Sequence, residues 1–123
     1  MSDYWPTELR LVDGGSVLAV AFDNGETFDL SAEYLRVMSP SAEVQGHSPA
    51  ERKTVGGKRN VKIADLETIG NYAVRLEFDD KHGSGIFTWD YLAELGKNRQ
   101  ARWTAYMDEL KQKGLDRDKP GMR

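Results

Sequence analysis

The chain has 123 residues, 39% of them apolar, and a formal charge of -3 from 17 basic and 20 acidic side chains. That length predicts one domain, 1–123, with one core, and the acidic balance excludes the large positive field that nucleic acid or an anionic membrane would require. The absence of cysteine excludes a disulfide framework, thiol catalysis and every zinc site built on thiolate.

The N-terminus, Met1-Ser2-Asp3-Tyr4-Trp5-Pro6, has no basic segment followed by an apolar run. No stretch approaches the roughly 20 apolar residues that span a bilayer, which predicts a soluble, cytoplasmic protein without a membrane partner. Leu9 and Leu11 alternate with polar neighbours, and Asp13-Gly14-Gly15 supplies a hairpin turn. Ser16 to Phe22 predicts a strand with Leu18, Val20 and Phe22 on one face. Asn24-Gly25 then predicts a type I′ hairpin with positive φ at both residues, returning the chain as a strand to Leu30. Ser31 caps a short helix ending before Pro40, with Glu33 in its first turn and Tyr34, Leu35 and Met38 facing inward.

Residues 39–59 hold two prolines and three glycines with little apolar periodicity, and predict a long loop that is mobile at its centre. Order resumes at Val61 and Ile63. Tyr72, Val74, Leu76 and Phe78 alternate with Ala73, Arg75 and Glu77, the pattern of an antiparallel sheet with one wet face. Thr88 caps a helix that Gly96 would end, and Asn98 would cap another. In that last helix Trp103, Tyr106, Met107 and Leu110 form an apolar stripe. Gly114 closes it, leaving Leu115 to Arg123 as a charged tail that frays, so the predicted core spans 8–113.

Residues 22–35 and 78–92 spell the same order twice: strand, polar turn, strand, hydroxyl-capped helix. The echo reads either as a duplication or as convergence through the restricted chemistry of turns and caps. The fold expected is α+β: one antiparallel sheet of five to six strands built from two ββα-like units, with a C-terminal amphipathic helix. Its open edges would permit a homodimer.

Candidate chemistry is sparse. His82 lies in the turn Asp79-Asp80-Lys81-His82-Gly83, where two carboxylates and an imidazole suit a divalent cation, although turn preferences alone account for the aspartates and glycine. His47 lies in the long loop without a visible partner. No histidine opens a His-x-Asp pair, and no Gly-x-Ser-x-Gly or base beside Ser39, Ser41 or Ser48 supports serine catalysis. Arg52, Lys53, Lys58 and Arg59 make a basic loop that lacks phosphate-loop spacing and suits either solvent or an anionic partner.

Three groups of residues resemble the gamma-butyrobetaine hydroxylase-like N-terminal domain over residues 8–95. They are Asp13-Gly14-Gly15-Ser16, Leu35-Arg36 followed by Ser39-Pro40-Ser41, and Gly70-Asn71-Tyr72-Ala73 leading to Phe78-Asp79-Asp80-Lys81-His82 and Trp89-Asp90-Tyr91-Leu92. In the carnitine-pathway hydroxylases this domain precedes an oxygenase domain and carries a structural zinc. The resemblance places the cysteine ligands at Ser39, Ser41 and Val44 here, and retains only His82, so it implies a stand-alone, zinc-free version with no cofactor. Similar domains occur attached to Mrp/ApbC-type P-loop ATPases that carry iron-sulfur clusters, which implies such an ATPase as protein partner. The expectation is a non-enzymatic interaction module contacting its partner through Ser39, Ser41, His47, Arg52, Lys53, Lys58, Arg59 and His82. The alternative is a protein that binds iron or another divalent ion through His82, Asp79, Asp80 and His47.

Overall fold

The computed structural model describes residues 4–40, 54–80 and 85–118. In chain order these form β1 (Pro6–Val12), a 3-10 turn (Asp13–Gly15), β2 (Val17–Phe22), β3 (Thr27–Ser31) and α1 (Ala32–Val37). There follow β4 (Ile63–Ile69), β5 (Ala73–Phe78), β6 (Gly85–Thr88), α2 (Trp89–Lys97) and α3 (Arg99–Gln112).

The six strands do not join into the single sheet expected. They form two three-stranded antiparallel sheets, β1-β2-β3 and β4-β5-β6. Each unit is thus βββα: the echo in the sequence captured its last three elements, and a further strand precedes each. Between the sheets a cleft of about 280 Å³ is lined by Pro6 to Leu9 of β1, Thr68, and Gly70 and Asn71 of the β4–β5 turn. One apolar core serves both units, with Leu18, Val20 and Leu30 from the first sheet meeting Val74, Leu76 and Phe87 from the second.

The local signals act largely as the sequence predicts. Ser31 and Thr88 accept hydrogen bonds from the backbone N–H of Tyr34 and Tyr91, capping α1 and α2. Leu18, Val20 and Phe22 are the buried face of β2. At the end of α3 the N–H of Leu115 donates to the Leu110 carbonyl at 2.8 Å and that of Gly114 to Lys111 at 3.3 Å, the paired bonds of a Schellman cap.

Four details differ. The β2–β3 hairpin is a three-residue loop in which only Gly25 has positive φ, at 90°, while Asn24 uses its Oδ1 to accept from the Glu26 N–H. Tyr72 lies in the β4–β5 turn and is exposed, whereas Ala73 opens β5 and is buried. Gly96 does not end α2, which continues to Lys97. A Cβ there would stand 2.5 Å from ring atoms of Phe28, so the glycine lets the helix lie directly on the first sheet. Asn98 does not cap α3 with its side chain. It separates α2 from α3 and donates from Nδ2 back to the Glu94 carbonyl.

The two units meet backbone to backbone at Gly15. Its φ is +96°, and a Cβ would fall 2.4 Å from the Ile63 carbonyl oxygen. Gly15→Ala therefore meets both a disfavoured backbone conformation and a backbone atom that has no rotamer to give. The variant should lose at least about 2 kcal/mol of unfolding free energy in a urea titration. Gly14→Ala, where nothing lies within 4 Å, should lose less.

Candidate functional site

Every residue of α1 is buried, including Glu33 and Arg36. A charge taken out of water needs an opposite charge and hydrogen bonds, and each of these side chains finds its partner in a distant segment. Arg36 Nε donates to Asp80 Oδ2 at 2.9 Å, and Lys58 Nζ donates to the same oxygen at 2.6 Å. Helix α1, the segment before β4 and the turn after β5 thus converge on one carboxylate. Arg36 is 6% exposed at its side chain, and its Nη1 is buried with no hydrogen-bond acceptor among the described residues.

Beside this cluster, Ser39 is fully buried, not part of a contact surface. Its Oγ lies where a Cβ on Gly85 would come to 2.5 Å, so the chain after α1 packs directly against the start of β6. Asp79 accepts from the Lys62 N–H, and its own N–H donates to the Lys62 carbonyl, a turn role. Arg59 is exposed and pairs with Asp118. The remaining candidates, Ser41, His47, Arg52, Lys53 and His82, lie outside the described residues. Among the described residues no group of three or more His, Asp or Glu is placed to hold a metal ion.

A second cluster surrounds Glu33, and sequence reasoning missed it. Arg117 donates from Nε and Nη2 to the two Glu33 oxygens at 2.7 and 2.6 Å. Its guanidinium lies 5.2 Å from the centroid of the Trp103 ring. Hydrogen bonding to Glu33 raises the pKa of Arg117 further above its already high value. The start of the charged tail is consequently tied down: Gly57 N–H donates to Asp116 O and Arg59 N–H to Arg117 O. An open cavity of about 340 Å³ adjoins the pair and is lined by Val17, Asp29, Ser31, Tyr34, Arg99 and Gln100 together with Trp103.

A model of the gamma-butyrobetaine hydroxylase-like N-terminal family matches residues 9–93. The chain belongs to this family. Two proteins of similar structure, both determined by NMR in solution, are 43% and 42% identical, each with a TM-score of 0.80. The alignments cover 94% and 95% of this chain, and 90% and 88% of theirs. A crystal structure of a protein of unknown function in the DUF971 family, from Acidithiobacillus ferrooxidans, is 37% identical with a TM-score of 0.61, over 74% of this chain and 91% of that one. No curated protein matches. Of the positions where the family resemblance would set zinc ligands, only Ser39 is described, and it sits against Gly85 at the start of β6.

The most displaced titrations belong to buried phenols that hold the fold. Tyr34 donates to the Leu95 carbonyl at 2.8 Å, and Tyr106 donates to that of Val55. Burial disfavours both phenolates, pushing Tyr34 from 10.0 to about 12 and Tyr106 higher still. Above pH 10 the unfolded chain releases these protons while the folded chain keeps them, so stability falls as pH rises. Urea midpoints measured from pH 9 to 11.5 should decline beyond pH 10, by up to about 1.4 kcal/mol per pH unit for each tyrosine. Tyr34→Phe should make that decline shallower.

Asp80 carries a separate expectation. Asp80→Ala leaves the buried Arg36 guanidinium without its carboxylate and should cost about 3 kcal/mol in denaturant unfolding. Lys58→Ala, which leaves the Arg36–Asp80 pair intact, should cost less than about 1 kcal/mol.

Proposed function

We propose that this chain is a non-enzymatic accessory module that acts by binding another protein. The observation that carries the reading is the convergence of segments at Asp80. The chain after α1, Lys58 with its exposed neighbour Arg59, and the Asp79–Asp80 turn meet on one side of the fold. Arg36, Lys58, Arg59, Asp79 and Asp80 are engaged there in ion pairs and turn hydrogen bonds, so they give that side a defined shape and a mixed charge pattern suited to recognition. Family membership supports the same direction. The family resemblance points to an iron-sulfur carrier ATPase of the Mrp/ApbC type as the partner, acting in the cytoplasm.

Weak binding of iron or another divalent ion by His82 with Asp79 and Asp80 is the second reading. A cation at Asp80 would have to compete with both Arg36 and Lys58 for the oxygen they share, and this competition favours the first reading.

Affinity capture of the full chain under native conditions should retain a cluster-carrying ATPase. Arg59→Glu, a substitution on an exposed side chain, should reduce that recovery. Stoichiometric metal in protein purified without an affinity tag, lost on His82→Ala and unaccompanied by any retained ATPase, would favour the second reading instead.

A further inference from the structure

This inference rests on the reading of the chain as a partner-binding module and specifies the chemistry of one contact. Glu33 is 6% exposed at its side chain, and both its oxygens are bonded by the guanidinium of Arg117. Trp103 lies beneath that guanidinium and is itself fixed by two aromatic neighbours. Tyr34 meets it edge-on at 6.2 Å, and Tyr106 lies tilted at 5.3 Å. A buried carboxylate that offers two parallel acceptors beside an aromatic face matches the planar fork of an arginine side chain. A lysine ammonium, a point charge, cannot make both bonds with one geometry.

We infer that Glu33 and Trp103 form an arginine-recognition site that Arg117 fills from within the chain, and that an arginine of the partner protein takes its place in the complex. Two observations make the occupant exchangeable. Beyond Leu115, which packs on the core, the contacts of 116–118 include the Glu33 pair with its Trp103 ring, two backbone hydrogen bonds to Gly57 and Arg59, and the exposed Arg59–Asp118 pair. Exposed pairs of that kind hold weakly. Secondly, the cavity of about 340 Å³ beside the Glu33–Arg117 pair is open, and its wall, which includes Asp29, Ser31 and Gln100 as well as Arg99 bonded to the Asp29 carbonyl, gives an incoming chain room and polar partners. Arg117 competes as a tethered ligand at high effective concentration, so a free arginine binds poorly unless Arg117 is removed or the partner brings further contacts.

The test is an NMR titration of N-acetyl-arginine amide into the full chain, following the indole resonance of Trp103. Arg117→Ala should bind the probe saturably, at least about tenfold more tightly than the wild type and about tenfold more tightly than it binds N-acetyl-lysine amide. Adding Glu33→Gln should abolish binding. Arg117→Lys, which keeps a cation on the carboxylate should the alanine variant fail to fold, should also bind the arginine probe better than the wild type. Absence of a Trp103 shift in the folded Arg117 variants, or equal binding of the lysine probe, overturns the inference. Arginine binding without any captured protein would sustain the site and sink the partner reading, and capture without arginine binding would do the reverse.

Discussion

The structure depends on a six-residue helix that carries two opposite charges into the interior. α1 is too short to be stable alone, and it exists because its whole surface is packed. Leu35 and Val37 supply apolar contact, but Glu33 and Arg36 must also be matched, and neither finds its partner within the helix. Glu33 requires Arg117, 84 residues further along, and Arg36 requires Asp80, 44 residues away. Two neutralisation requirements on one helix therefore fix where the C-terminal tail and the β5–β6 turn must dock.

Such pairs are weak sources of net stability, because desolvation offsets much of the attraction. Leaving one partner alone in the interior is expensive. Their effect is positional: arrangements that leave either charge unmatched are penalised, and the tail and the turn are held in place while the apolar core supplies the stabilisation. The same logic links fold to function. The Asp80 cluster orders the side of the molecule proposed to meet a protein, and the Glu33 pocket is ordered by Arg117, the group proposed to give way to an arginine of the partner.

Much of the architecture was legible in the residues because it rests on local chemistry. The hydroxyl caps at Ser31 and Thr88, the alternation of Leu18, Val20 and Phe22, and the closure at Gly114 are each set by a few neighbouring residues. Division into two sheets was not legible, since nothing in β1 or β4 states which strand lies beside it. Gly96 misled for a related reason: a glycine that ends a helix and one that admits the Phe28 ring look alike in sequence. In sequence, Glu33 shows only as an acidic residue in the first turn of a helix and Arg36 only as part of the family motif. Only their distant partners, Arg117 and Asp80, show why they are inside, and a charged tail gave no sign that one of its arginines was an anchor. At the candidate site, the resemblance drew attention to the chain after Leu35-Arg36 and the Asp79–Asp80 turn, but it did not reveal that Ser39 is enclosed.

The central claim, that the buried charges of α1 position distant segments through mutual neutralisation, is tested most directly by a double-mutant cycle on Arg36 and Asp80. Arg36→Met and Asp80→Leu should each destabilise the protein, while the double variant, with neither member of the buried pair left alone and only the partly exposed Lys58 freed, should be more stable than either single one. Losses that simply add would show the two side chains to be energetically independent and would contradict the account.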